Sequence, residues 1–163
     1  MAKPLQTSTN FAPWPAPDFN LAASSGGFVS LADLKSSWTV LFLYPTDNTP
    51  TCTTEARAFS DAMPQFRDLG VSLYGLSKDS LKDHDKFIAK QGLSMPLLSD
   101  PDTQTIAAFG SWVEKKLYGR DYLGTDRSTF IIDPQGMVRA EWRKVRVKGH
   151  VDAVLASLKS LLN

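Results

Sequence analysis

Apolar positions along the chain change period several times, and each change marks an element. Trp38-Thr-Val-Leu-Phe-Leu-Tyr44 is an unbroken run of apolar and β-favouring residues, the pattern of a strand covered on both faces. Pro45 stops it, because proline has no N–H to give to a ladder. After the polar loop Thr46-Asp47-Asn48, Thr49-Pro50 reads as a helix start, with threonine at the cap and proline at the first helical position. Phe59, Met63 and Phe66 recur at helical spacing, so this helix is expected to run to about Leu69, kinked at Pro64 and ended by Gly70. Val71 to Ser77 is the next strand, and strand, helix, strand in this order predicts a right-handed parallel crossover.

Further along, Ser80 caps a helix with Leu81, Phe87 and Ile88 on its inner face, and Gly92 ends it. Pro96-Leu97-Leu98 reads as a short strand. Asp100 or Asp102 opens a helix through Ile106 and Phe109, closed by Gly110. Residues 110–126 show little periodicity and read as a long connection, of the kind that often carries function. Arg127 to Asp133 is a strand and Asp133-Pro-Gln-Gly136 a turn. Met137 to Val147 returns antiparallel, with a change of phase between Trp142 and Val145 that suggests a bulge. From about Gly149 a last helix presents Val151, Leu155, Leu158 and Leu162. Upstream, residues 1–17 suit an extended arm, with Trp14 packed on the body. Phe19 and Leu21 alternate as in a strand, residues 24–27 turn, and Phe28 to Leu31 returns. Ser30 caps a short helix over Leu31 to Lys35. No internal repeat is visible, and the order is that of a single α/β domain over residues 1–163.

Composition narrows function more than fold. A net charge of +1 gives no global reason to expect nucleic acid or an anionic membrane. Apolar runs of a few residues are too short to span a bilayer, and Met1-Ala-Lys-Pro-Leu-Gln6 lacks the apolar core of a signal peptide. The expected setting is a reducing cytoplasm, where a free thiol can be regenerated. One cysteine excludes an intrachain disulfide and a cysteine-rich zinc site, and two histidines are too few for most histidine-based metal sites. His84 reads as a half-buried helix histidine rather than a general base, and His150 as structural. Arg139, Arg143, Lys144, Arg146 and Lys148 fit charge that protects an exposed sheet edge better than a nucleic-acid surface.

That leaves Cys52, in the first turn of the helix that begins at Thr49-Pro50. The unpaired N–H groups and dipole there favour a thiolate over a thiol. A lone cysteine is more often a small buried hydrophobe. Here the position among threonines at a strand-to-helix turn, outside any apolar run, favours reactivity.

Pro45-x-x-x-Thr49-x-x-Cys52 matches the active-site signature of the peroxiredoxins. The longer string from Tyr44 to Ala56 resembles their bacterioferritin-comigratory-protein (Q-type) branch, as does Trp112-Val-Glu-Lys115. Two positions depart from that branch: Thr51 stands where glycine is usual, and Arg57 where a resolving cysteine is often found. The resemblance covers roughly residues 15–160 and implies a thioredoxin-like sandwich, a mixed central β-sheet flanked by helices, with an N-terminal extension.

It also implies a thiol-dependent peroxidase. Cys52 attacks the O–O bond of hydrogen peroxide or an organic hydroperoxide and becomes a sulfenic acid, without metal, flavin or other cofactor. Lacking a second cysteine, the chain needs an external thiol: thioredoxin, glutaredoxin or glutathione. The expected state is a monomer or weak homodimer, since a Cys52–Cys52 bridge would require two buried pockets to meet. By the same resemblance Arg127 lies beside Cys52, stabilises the thiolate and binds peroxide. Thr49 and the first-turn N–H groups donate to the departing oxygen, and Pro45 shields the sulfur. Glu55, three residues after Cys52, is placed to orient Arg127 through a bidentate pair, and Tyr44 to line the pocket. A dithiol oxidoreductase is disfavoured, because Thr49 occupies the first position of a Cys-x-x-Cys. A redox sensor or binding module needs the same activated thiol and stays open as the alternative.

Overall fold

The run beginning at Trp38 forms a strand in the middle of a mixed sheet. The computed structural model describes residues 11–163, so most of the expected N-terminal arm lies outside the described residues. In chain order the elements are β1 (Trp14–Pro15), β2 (Asn20–Ala23), β3 (Phe28–Ser30), α1 (Leu31–Leu34), β4 (Trp38–Leu43), α2 (Pro50–Asp61), α3 (Met63–Asp68) and β5 (Val71–Ser77). There follow α4 (Leu81–Gln91), β6 (Leu97–Ser99), α5 (Gln104–Ala108), β7 (Trp112–Leu117), β8 (Arg120–Thr125), β9 (Ser128–Ile132), β10 (Met137–Trp142) and α6 (His150–Leu162). Eight strands form one sheet in the order β1-β10-β9-β4-β5-β6-β2-β3, while β7 and β8 pair separately. β4 runs parallel to β5 and antiparallel to β9.

Side chains alternate across a strand, and both faces of β4 are covered. Val40 and Phe42 pack with Phe59, Phe66, Phe87, Trp142, Leu155 and Leu158 on one side. Leu41 and Leu43 pack with Phe19, Leu31, Phe109 and Phe130 on the other. Trp14 joins the second layer edge-on to Phe109 and Phe130. Caps fall where expected: the Ser30 side chain accepts from the Asp33 N–H, the Ser80 side chain from the Asp83 N–H, and Gly92 ends α4 with φ 63°. Among the described residues no helix is long and apolar enough to cross a membrane.

Several expectations need correction. The helix from Pro50 is broken outright at Ala62, with Pro64 in the first turn of α3, because a proline interior to one continuous helix would lose its hydrogen bond. Asp100 and Asp102 both serve α5, accepting from the Ile106 and Gln104 N–H groups, but the helix starts only at Gln104. Residues 110–126 are not an irregular connection. They carry the β7–β8 hairpin, closed by Tyr118-Gly119 with φ 53° and 75°, the left-handed pair that suits a two-residue turn. β10 ends at Trp142, and its register shift lies between Val138 and Ala140 rather than near Val145. Arg139 and Arg143 are not edge charges. Arg139 pairs with Asp133 and lies over Trp38, and Arg143 bonds Glu141 and the Phe109 carbonyl. Lys144, Arg146 and Lys148 are exposed.

Candidate active site

β4 delivers the chain to the site, and the fully buried Tyr44 follows directly after it. Thr49 holds the N-cap position of α2 in extended backbone, and Pro50, Thr51 and Cys52 make the first turn. The N–H groups of Thr51 and Cys52 have no intrahelical acceptor, so the turn presents donors beside the sulfur. Thr51 sits in this turn without a positive φ, so the residue that replaces the usual glycine is unstrained.

Arg127 comes from the start of β9, the antiparallel neighbour of β4. Ser128 is opposite Leu43 in the β9–β4 ladder, which sets Arg127 level with the exit of β4. Its Nη2 donates to Cys52 Sγ at 3.3 Å, and its Nη1 donates to Glu55 Oε1 at 2.6 Å. Cys52, Arg127 and Glu55 therefore form one chain of contacts. Cys52 is only 2% exposed and its apolar flank belongs to the core layer, so Arg127 supplies the polar contact of its sulfur. Burial works against the guanidinium charge, but Glu55 and Cys52 outweigh it and hold Arg127 above its ordinary value.

Glu55 is pulled both ways. Burial dominates and lifts its carboxyl to about 7, against the opposing charge of Arg127. Arg127 gains from the pairing, yet Glu55 remains harder to ionise than an exposed glutamate. The geometry gives the reason. The expected bidentate pair is single, and Glu55 Oε2 is buried with no hydrogen-bond partner among the described residues.

The other expected residues are placed as follows. The Thr49 hydroxyl donates to the Thr46 carbonyl at 3.1 Å, so its proton is committed within the loop and it does not cap α2. Pro45 is half-buried, and its carbonyl accepts from Lys78 Nζ at 3.1 Å. Tyr44 lies beneath the loop rather than lining a pocket, and its hydroxyl donates to Asp47 Oδ1 at 2.6 Å. His84 is not half-buried but fully enclosed, with Nδ1 at 2.7 Å from Asp47 Oδ2. His150 starts α6, where its Nε2 meets the Thr129 hydroxyl at 2.8 Å. Burial, aided by the charge of Arg127, pushes His150 down to about 4 and keeps it neutral.

Sequence reasoning passed over Lys115, Lys78 and the Asp47–His84 pair. Lys115 is half-buried on β7, lowered mainly by burial, with Asp126 opposing, and it feels the charges of Arg127 and Cys52. Its place in the Trp112-Val-Glu-Lys115 segment is the one sequence signal that marks it. Asp47, Asp79 and His84 have metal-ligand atoms within 4.8 Å of one another. These donors already satisfy each other, and His84 Nε2 is engaged by the Leu98 carbonyl, so the set does not suit a metal.

The AhpC/TSA family model matches residues 14–141. The chain is 46% identical to Peroxiredoxin Bcp of Xanthomonas campestris over 143 residues, covering 88% of this chain and 89% of that one. It is 44% identical to Peroxiredoxin Bcp of Bacillus subtilis over 146 residues, covering 90% and 93%. A solved structure of Xanthomonas campestris Peroxiredoxin Q aligns with a TM-score of 0.85 at 45% identity, covering 89% and 92%. Equally similar, at TM-score 0.85 and 44% identity over 89% and 92%, are trapped intermediate and ligand complexes bearing on alkyl peroxide reduction by the Xanthomonas campestris bacterioferritin comigratory protein.

Proposed function

The chain belongs to the AhpC/TSA family as a peroxiredoxin, a thiol-dependent peroxidase, and on that premise we propose that Cys52 is its peroxide-reducing sulfur and Arg127 the cation that serves it. The observation that carries the assignment is the Arg127 Nη2 contact to Sγ at 3.3 Å, beside the free N–H groups of the α2 first turn. The thiolate attacks the distal oxygen of the peroxide, the O–O bond breaks, and an alkoxide or hydroxide leaves and takes a proton. Arg127 and the first-turn N–H groups stabilise the charge that builds on that oxygen. Thr49, whose proton is given to Thr46, offers its oxygen as acceptor for the peroxide O–H. Pro45 keeps bulk water from the sulfur, Glu55 aims the guanidinium, and Tyr44 supports the loop from below.

Substrates are hydrogen peroxide and organic hydroperoxides; the alkyl peroxide reduction of the Xanthomonas campestris relative supports the second class. With a single cysteine, the sulfenic acid is reduced from outside. One thiol condenses with it, releasing water, and a second frees Cys52 as a disulfide of the reductant forms. The reductant is thioredoxin, glutaredoxin or glutathione, the protein a monomer or weak homodimer, and its setting a reducing cytoplasm.

Cys52→Ser is expected to abolish peroxide consumption with added thiol. Arg127→Ala is expected to slow oxidation of the reduced protein, followed by stopped flow, by about 100-fold. Its thermal stability should change little, because the abandoned Glu55 can take up a proton. Sustained consumption by Cys52→Ser, or a wild-type rate for Arg127→Ala, would refute the corresponding role. Oxidation limited to one equivalent of peroxide per chain would favour a sensor.

A further inference from the structure

We propose that Asp47 and His84 are positioning residues of the peroxidase reaction: a buried charged pair that ties the loop Pro45–Thr49 to α4 and β6 and so keeps the Cys52 turn in place. The inference rests on the peroxidase reading and adds a device beneath it. His84 is 0% and Asp47 3% exposed at the side chain. Nδ1 of His84 faces Asp47 Oδ2 at 2.7 Å, and Nε2 faces the Leu98 carbonyl of β6 at 2.9 Å. Both partners only accept. Two acceptors need two N–H donors, so the imidazole is held as its cation. Asp47 Oδ1 accepts from Tyr44, which burial keeps protonated, and so both carboxylate oxygens of Asp47 are engaged.

The rest of the loop is tied to the same place. The Asp47 N–H donates to Asp79 Oδ2 at 2.9 Å, and Asp79 is itself held by the Ser77 hydroxyl. Lys78 Nζ reaches the Pro45 carbonyl at 3.1 Å and Thr46 Oγ1 at 3.4 Å. Thus the β5–α4 turn and the α4 imidazole form the mount of a loop whose two ends are Pro45 and Thr49. A buried ion pair adds little stability over apolar packing but fixes one arrangement, which suits a loop that must hold a helix start in register.

Among the described residues the titratable groups facing the imidazole are acidic, Asp47 from the active loop and Asp79 from the turn after β5. β6 contributes only a carbonyl, and Tyr44 of the β4 exit reaches it through Asp47. Burial lowers His84, but its bonds to Asp47 and Leu98 and the charge of Asp79 prevail, and the net direction is upward. The clamp is therefore intact below that raised value and is lost as pH climbs through it. Loss of one imidazole proton leaves either Asp47 or Leu98 without its donor.

The experiment is stopped-flow oxidation of the reduced protein by hydrogen peroxide from about pH 6 to 10, for wild type, Asp47→Asn and His84→Gln. Imidazole ¹⁵N spectra of wild type and Asp47→Asn accompany it. The wild-type rate should fall about 10-fold on an alkaline limb coinciding with the loss of the second His84 proton. His84→Gln should lack that limb, and the near-isosteric Asp47→Asn should react about 10-fold slower at pH 7 with His84 already neutral. A neutral His84 in wild type at pH 7, an alkaline limb unchanged in His84→Gln, or a wild-type rate for Asp47→Asn would each overturn the proposal. Should both variants fail to fold, the wild-type limb and the His84 titration must still coincide, and a mismatch overturns it. Wild type that consumes no peroxide with dithiothreitol would remove the peroxidase reading itself, a result distinct from all of these.

Discussion

Glu55 is required to pair with a guanidinium and, at the same time, to sit where an anion is poorly received. Its ordinary value of 4.5 is lifted to about 7, chiefly by burial. Between those two values the folded chain binds more protons at this group than the unfolded chain does. Stability from Glu55 is thus full below about 4.5 and is lost as pH rises through about 7. Glu55→Gln removes that slope while keeping an oxygen for Arg127. Thermal unfolding of reduced wild type and Glu55→Gln at pH 5 to 8 should show their difference moving against wild type with rising pH. A constant difference would mean that Arg127 fully offsets the burial. Thr51 poses no such conflict, being an exposed residue in ordinary helical backbone.

At the scale of elements, the β4–α2–β5 unit holds the reactive turn, and its packing leaves no slack at Gly75. A methyl built on that glycine would lie 2.7 Å from Leu97 Cδ2 and 2.8 Å from Phe42 Cζ. Gly75→Ala should lower stability by about 1–3 kcal/mol, read from denaturant midpoints. A neutral effect would mean that β5 and β6 yield more readily than their parallel pairing suggests. β4 and β5 were legible as apolar, β-favouring runs and α4 and α6 from their helical spacing, with Pro45 and Gly92 marking where β4 and α4 stop. The β7–β8 hairpin was not. Leu117, Tyr122 and Leu123 are exposed, so neither face is cleanly buried and the alternation on which a strand assignment relies is absent. The cysteine turn could be read because its chemistry is local. The Asp47–His84 contact could not, since it joins residues 37 positions apart that belong to different elements. Arg127 was reached only through resemblance, because its ordinary reading is a surface arginine at a strand end.

For the whole molecule, the decisive fact is that one sulfur must be both made reactive and rescued. Cys52 is enclosed by the core layer that α2 shares with β4, and the position five residues later is the exposed Arg57. A sulfenic acid formed there has no thiol within the chain to meet. For an outside thiol to reach it, the first turn of α2 must give way locally, so the burial of Cys52 slows the rescue. When thiol is scarce a second peroxide competes for the same sulfur. Treatment of the reduced protein with excess hydrogen peroxide should therefore yield monomer about 32 Da heavier, the sulfinic acid, whose activity added thiol does not restore. Mass spectrometry and a non-reducing gel separate this from the other route. A disulfide-linked dimer as the main product would mean that two Cys52 turns open toward each other faster than peroxide returns. The reductant would then act on an intersubunit bridge rather than on the sulfenic acid.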